Sequence, residues 1–145
     1  MNAMMRNSAV GAFVLAGVLA GCSTMSSMMG GGQQVTLSGA NEVPPVTTSA
    51  TGSGTVTIGS DRGVRAKVTV SGMTATAAHI HEGAAGANGP VLVPLGKTGD
   101  NEFAAHPEAK MTEAQYAAYK AGRTYINVHS ARNPGGEVRA QLKGE

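Results

Sequence analysis

Tryptophan is absent from this chain of 145 residues, and three tyrosines and two phenylalanines are its whole aromatic complement. Aromatics this scarce argue against platforms on which bases or sugar rings could stack. Charge is scarce as well: Asp, Glu, Lys and Arg make up 14% of the residues and leave a formal net charge of +2, too little to build a basic surface for nucleic acid. A single cysteine, Cys22, excludes an internal disulfide, so the fold must rest on its hydrophobic core. The uncharged apolar run from Ser8 to Ala20 is roughly 13 residues, short of the about 20 needed to span a bilayer. Gly83, Gly86 and Gly89 match neither phosphate-cradling motif, for there is no Gly-Lys-Ser/Thr and no G-x-G-x-x-G around them. Three such triplets are also too few for a collagen helix.

What is present begins with the N-terminus. Arg6 is the only charge before Glu42, and the apolar run that follows it ends in small residues, the layout of a secretory signal. The sequence Leu19-Ala20-Gly21-Cys22 resembles the lipobox of bacterial lipoproteins. That resemblance implies cleavage before Cys22, acylation of its thiol and new amino terminus, and anchoring in a lipid bilayer by several acyl chains. Ser23, where an aspartate would signal retention in the inner membrane, implies the outer membrane of the cell envelope, facing the periplasm. The expected organisation is a signal peptide over 1–21, a lipidated cysteine and flexible Gly/Ser/Met-rich tether over 22–34, and one domain over 35–145. Met25, Met28 and Met29 offer thioethers to Cu(I), or are simply linker. Loss of the leader removes one basic residue and leaves the remainder close to neutral.

From Val35 onward the periodicity is two. Val64, Ala66, Val68 and Val70 alternate with Arg65, Lys67 and Thr69, a half-buried strand. Val138, Ala140 and Leu142 do the same against Arg139, Gln141 and Lys143, which are expected to point outward. Val91, Val93 and Leu95 share a face of a strand that Pro94 marks as an edge. Turn residues recur about every ten positions. One stretch breaks the rhythm: Thr112 with Gln115 forms a capping box, and Gly122 stands where a helix should stop. The expected fold is all-β, an antiparallel Greek-key-like β-sandwich with one short inserted helix.

Two of the four histidines, His79 and His81, are separated by one residue. In a strand they share the face opposite Ala78 and Ile80. His129 shares its face with Tyr125 and Asn127, opposite Ile126 and Val128. Two β-spaced imidazoles can chelate one ion, and a third from a neighbouring strand completes a nitrogen set suited to copper or zinc. The same histidines could instead hydrogen-bond the glycine-rich loop that follows, or take part directly in catalysis. Glu82 falls on the other face, and His106, before Pro107, reads as an exposed loop residue. Asp61, Asp100 and Glu102 sit in turn-like stretches, and no Ser/His/Asp constellation is evident.

Three blocks, Leu37–Ile58 with "NEVPP", Ala77–Leu95 with "HIHEG", and Tyr125–Leu142 with "NVHS…GGEVR", resemble the signature blocks of the CHRD (chordin-type) domain. The resemblance places His79, His81 and His129 on the family's histidine positions. It also places Glu137 and Arg139 on its "GGE-x-R" ending, and Asn41, Glu42, Pro44 and Pro45 on its "EVPP" block. It implies no catalytic activity. "HIHEG" also resembles the H-x-H stretch of copper–zinc superoxide dismutases, Greek-key sandwiches themselves. Those enzymes use six histidines and an aspartate for two metals, normally with a disulfide, and this chain cannot assemble such a dinuclear centre. The expectation is a non-enzymatic lipoprotein that binds a transition metal, copper before zinc, through His79, His81 and His129. Tyr125 and Asn127 would orient the ligands. The alternatives are an interaction module for envelope proteins and a mononuclear copper oxidoreductase.

Overall fold

The computed structural model describes residues 31–144. The expected signal peptide, the lipidated Cys22 and the methionines of the tether lie outside the described residues. Eight antiparallel strands follow in the order β1 (Gln33–Ser38), β2 (Thr51–Ile58), β3 (Val64–Ser71), β4 (Ala75–Glu82), β5 (Val91–Gly99), β6 (Glu102–Ala105), β7 (Thr124–Ser130) and β8 (Val138–Gln141). One helix, α1 (Glu113–Lys120), lies between β6 and β7, and a 3-10 turn, Gly39–Asn41, follows β1. β1 starts at Gln33, so the last two residues that composition assigns to the tether belong to the sheet.

The strands close into a barrel in the order β1-β2-β3-β6-β5-β4-β7-β8. β4, β5 and β6 are consecutive hairpins, while β3 lies against β6 and β7 against β4, which is Greek-key connectivity. The expected all-β antiparallel architecture with one short helix is therefore present. The two layers of the sandwich are opposite walls of one hydrogen-bonded circuit. From β3 to β4 the chain crosses in three residues, with Gly72 at φ +76°. The Asn101 side chain clamps this arch, accepting from Ala75 N at 3.1 Å and donating to Met73 O at 3.0 Å.

Alternation is strict where one face meets solvent. β3 alternates buried and exposed along its whole length. Leu37, Val68, Ile80, Ile126 and Val128 fill the barrel interior with no exposed surface. Two strands depart from the pattern. β7 is buried at every position, and Arg139 in β8, expected to face outward, is 1% exposed. Arg139 and the alternate residues Tyr125, Asn127 and His129 of β7 point away from the barrel interior as the periodicity says, but loops cover that wall. Pro94 also corrects an expectation, because β5 is paired with both β4 and β6. β6 ends at Ala105 opposite Leu95, so no β6 residue stands opposite Pro94, and its missing N–H is tolerated there. Glu102 opens β6 rather than lying in a turn.

The helix matches its sequence signals. Gln115 N donates to Thr112 Oγ1 at 3.2 Å and Thr112 N to Gln115 Oε1 at 2.9 Å, the reciprocal capping box. Gly122 adopts φ +71° just past the C-cap, Ala121.

Candidate metal centre

β4 and β7 are antiparallel neighbours, and their register lays out the outer wall. His81 stands opposite Tyr125 and His79 opposite Asn127, with His129 one step further, opposite Ala77. β8 continues the rows, with Gln141 beside Tyr125 and Arg139 beside Asn127. His79, His81 and His129 thereby converge, and one nitrogen of each lies within 4.8 Å of the others. Coordination bonds of about 2.0–2.1 Å set ligand nitrogens roughly 3.4 Å apart in a tetrahedral site, so small ring movements suffice.

The hydrogen bonds define the tautomers. Gly89 O lies 2.9 Å from His81 Nδ1, and Pro134 O lies 2.9 Å from His129 Nδ1. A carbonyl can only accept, so both Nδ1 atoms carry a proton, and in the neutral ring this leaves Nε2 as the lone pair. His79 Nδ1 is 2.9 Å from His129 Nε2 and donates to it. His81 Nε2 is buried and has no partner. Two imidazoles fixed by Nδ1–H···O=C bonds, with their Nε2 atoms turned inward, have the outer hydrogen bonding of metal-ligating histidines. His79 is the most exposed of the three.

Burial lowers the pKa of both His79 and His81. For His79 the neighbouring His129 and His81 lower it further. For His81 the Gly89 carbonyl and Asn127 pull the other way without overcoming burial. Both rings are therefore held in the neutral form that ligates a metal.

The cover over this wall is the segment Gly83–Pro90, pinned mainly from β8. Arg139 donates from Nη2 to Ala84 O (3.1 Å) and Ala87 O (2.9 Å), and from Nη1 to Asn88 Oδ1 (3.2 Å). Gln141 Nε2 donates to Gly83 O at 2.9 Å. A Cβ on Gly89 would come within 1.7 Å of Glu82 O, so only glycine lets the loop fold back there. Arg139 also lies 3.4 Å above the Tyr125 ring, whose other neighbour is the His81 ring, stacked at 4.9 Å and nearly parallel. A third layer comes from the segment after β1. Asn41 donates to Arg139 O at 3.1 Å, and Asn88 donates to Val43 O at 2.7 Å. Glu137 accepts from Thr48 at 2.6 Å and from Ser130. Burial pushes the Glu137 carboxyl up, but hydrogen bonds from Ser130, Thr48 and Asn133 and the charge of Arg132 outweigh it and hold the pKa low.

Tyr125, Asn127 and Arg139 thus lie around the cluster, whereas Glu137 is held by Thr48 and Ser130 beyond His129. Glu82 does not join the cluster and pairs with Arg123 at 3.5 Å on the other side of the strand. His106 is exposed, as expected. The residue that periodicity could not flag as part of the site is Glu42, 4% exposed, with its carboxyl pushed by burial up to about 7 against the opposing effects of Arg139 and Asn127. It sits in a turn, where no repeat reveals which side is buried.

This small Greek-key barrel thus carries, under pinned loops, a three-histidine cluster that could hold a metal ion. The chain matches the CHRD domain model over residues 33–142, well over half its length, and belongs to that family. No curated protein and no solved structure gives a significant match.

Proposed function

We propose that this CHRD-domain protein binds one transition-metal ion, copper in preference to zinc, through His79 Nδ1, His81 Nε2 and His129 Nε2, and sequesters or delivers it without catalytic turnover. The observation that carries this reading is the buried, unpartnered His81 Nε2 beside two further imidazole nitrogens. A buried polar atom left bare costs about 1–3 kcal/mol, and a metal ion removes that cost. Three neutral imidazoles suit Cu(II) or Zn(II), and Cu(II) lies above zinc in the general affinity order. On binding, His79 moves its proton from Nδ1 to Nε2, while His81 and His129 keep their Nδ1–H bonds.

Bracing of the glycine loop and metal binding use different nitrogens of His81, and this makes them separable. His81→Asn retains a donor near the Nδ1 position for Gly89 O and removes Nε2. Calorimetric titration with Cu(II) and Zn(II) should give one-to-one, sub-micromolar binding in the wild type. His81→Asn should weaken it at least tenfold with little loss of stability, and His79→Ala/His81→Ala should abolish it. Affinity should fall as pH drops below about 6, where imidazoles protonate. A wild type that binds neither ion sinks the reading and leaves the histidines as loop braces.

The proposed setting is the periplasmic face of the outer membrane, with the domain tethered through acylated Cys22. Support comes from the lipobox-like Leu19–Cys22 and from Ser23. Intact mass of the detergent-extracted protein checks it: a chain starting at Cys22 with added acyl mass is expected, and an unmodified Cys22 counts against it.

A further inference from the structure

The outer wall buries three polar atoms without partners that belong to one connected set: His81 Nε2, Asn127 Oδ1 and Glu42 Oε1. Asn127 stands between the other two. Its amide nitrogen faces Glu42, since the position a Cβ on Gly136 would occupy is 2.5 Å from both Asn127 Nδ2 and Glu42 Oε1. Gly136, at φ +129°, leaves that space open to them. The Asn127 amide lowers the pKa of Glu42 and raises that of His81, as a group does that donates toward a carboxylate and accepts from an imidazolium. Its hydrogen bond to Gly135 O is long, at 3.4 Å.

In this orientation the Asn127 carbonyl oxygen and the bare His81 nitrogen are both acceptors in a buried space, an arrangement that only a cation relieves. Turning the amide by about 180° gives the alternative, because its O and N are nearly isosteric. Nδ2–H then donates to His81 Nε2, and a protonated Glu42 donates to Asn127 Oδ1. All three atoms are satisfied, and only the long bond to Gly135 is lost.

We infer that Asn127, steered by Glu42, decides whether His81 Nε2 is capped by an amide N–H or open to a metal ion, so that metal uptake expels the Glu42 proton. The inference rests on the metal reading above. Asn127 and Glu42 are positioning residues, and neither ligates the ion. The charged groups around Glu42 are Arg139 from β8 and Arg132 from the loop after β7, and Asn127 separates it from His81. Glu42 lines a cleft of about 440 Å³ with Val43, Pro45, Ala85, Gly86 and Arg139, through which its proton reaches solvent. With its carboxyl at about 7, both states are populated near neutrality.

Two measurements test this. Nitrogen-15 NMR of the metal-free protein, from about pH 5.5 to 8.5, should show the Asn127 side-chain amide and His81 Nε2 moving together with a midpoint near 7, and Glu42→Gln should abolish that step. Calorimetric Zn(II) titration in buffers of different ionisation enthalpy counts protons released. Near pH 6 the wild type should release about one proton more than Glu42→Gln, and the difference should vanish above about pH 8. An Asn127 amide indifferent to pH, or equal proton release from both proteins, overturns the inference and leaves the metal reading standing. Absence of both Zn(II) and Cu(II) binding by the wild type overturns both, and if Cu(II) alone binds, the same proton count is made with Cu(II). Should Glu42→Gln fail to fold, the wild-type NMR titration decides alone.

Discussion

At the scale of single residues, the buried groups of the outer wall place opposite demands on pH. His79 and His81 have folded pKa values below their ordinary 6.5. The unfolded chain therefore takes up their protons first, and their contribution to stability is lost as pH falls below that value. Glu42 is raised from 4.5 to about 7, so its contribution is full below 4.5 and is lost as pH rises toward 7. Removing the carboxyl isolates the second effect. Glu42→Gln should match the wild type near pH 4.5 and exceed it at pH 8 by on the order of 1–3 kcal/mol. Urea denaturation of the metal-free proteins at the two pH values reads this difference. A constant offset at both would mean that Glu42 is not buried in the way described.

At the scale of elements, the segment Gly83–Pro90 is held by a side chain from a strand more than fifty positions away in sequence. Arg139 satisfies Ala84 O, Ala87 O and Asn88 Oδ1 while stacking on Tyr125. Arg139→Ala should cost about 2–4 kcal/mol, since it empties the space of a buried side chain and removes its hydrogen bonds to the loop and its stack on Tyr125. Arg139→Lys should recover little of it, because an ammonium cannot reproduce a planar fork lying on a ring. Chemical denaturation and amide exchange in Gly83–Pro90 check both variants, and full rescue by lysine would contradict this account. The period of two placed Arg139 on the correct side of β8. It could not show that the far side of that strand is covered, because the cover is a loop with no period of its own. The helix, by contrast, was legible in full from Thr112, Gln115 and Gly122, whose signals act within one or two turns.

At the scale of the whole molecule, the barrel has a short seam. β1 and β8 share the register pair Ser38 with Arg139, and the Gln33 side chain extends the join. Lys143 N donates to Gln33 Oε1 at 2.8 Å, and Gln33 Nε2 donates to Lys143 O at 3.2 Å, so a side-chain amide takes the part of a peptide group in the ladder. Gln33→Ala should cost about 0.5–1.5 kcal/mol and speed exchange of the Lys143 amide ahead of the core strands. Unchanged exchange at Lys143 would show that closure does not depend on this bridge. Local pattern already determined which face each strand turns to the core, that His79, His81 and His129 avoid that face, and where the one helix starts and stops. These depend on neighbours a few residues apart, within reach of side-chain alternation and capping. Only the folded chain decided that β4 lies beside β7, that the sheet closes, and that His81, Arg139 and Glu42 are buried on the outer wall. Period two sets the side a residue faces, whereas its neighbours and its cover come from segments far along the chain.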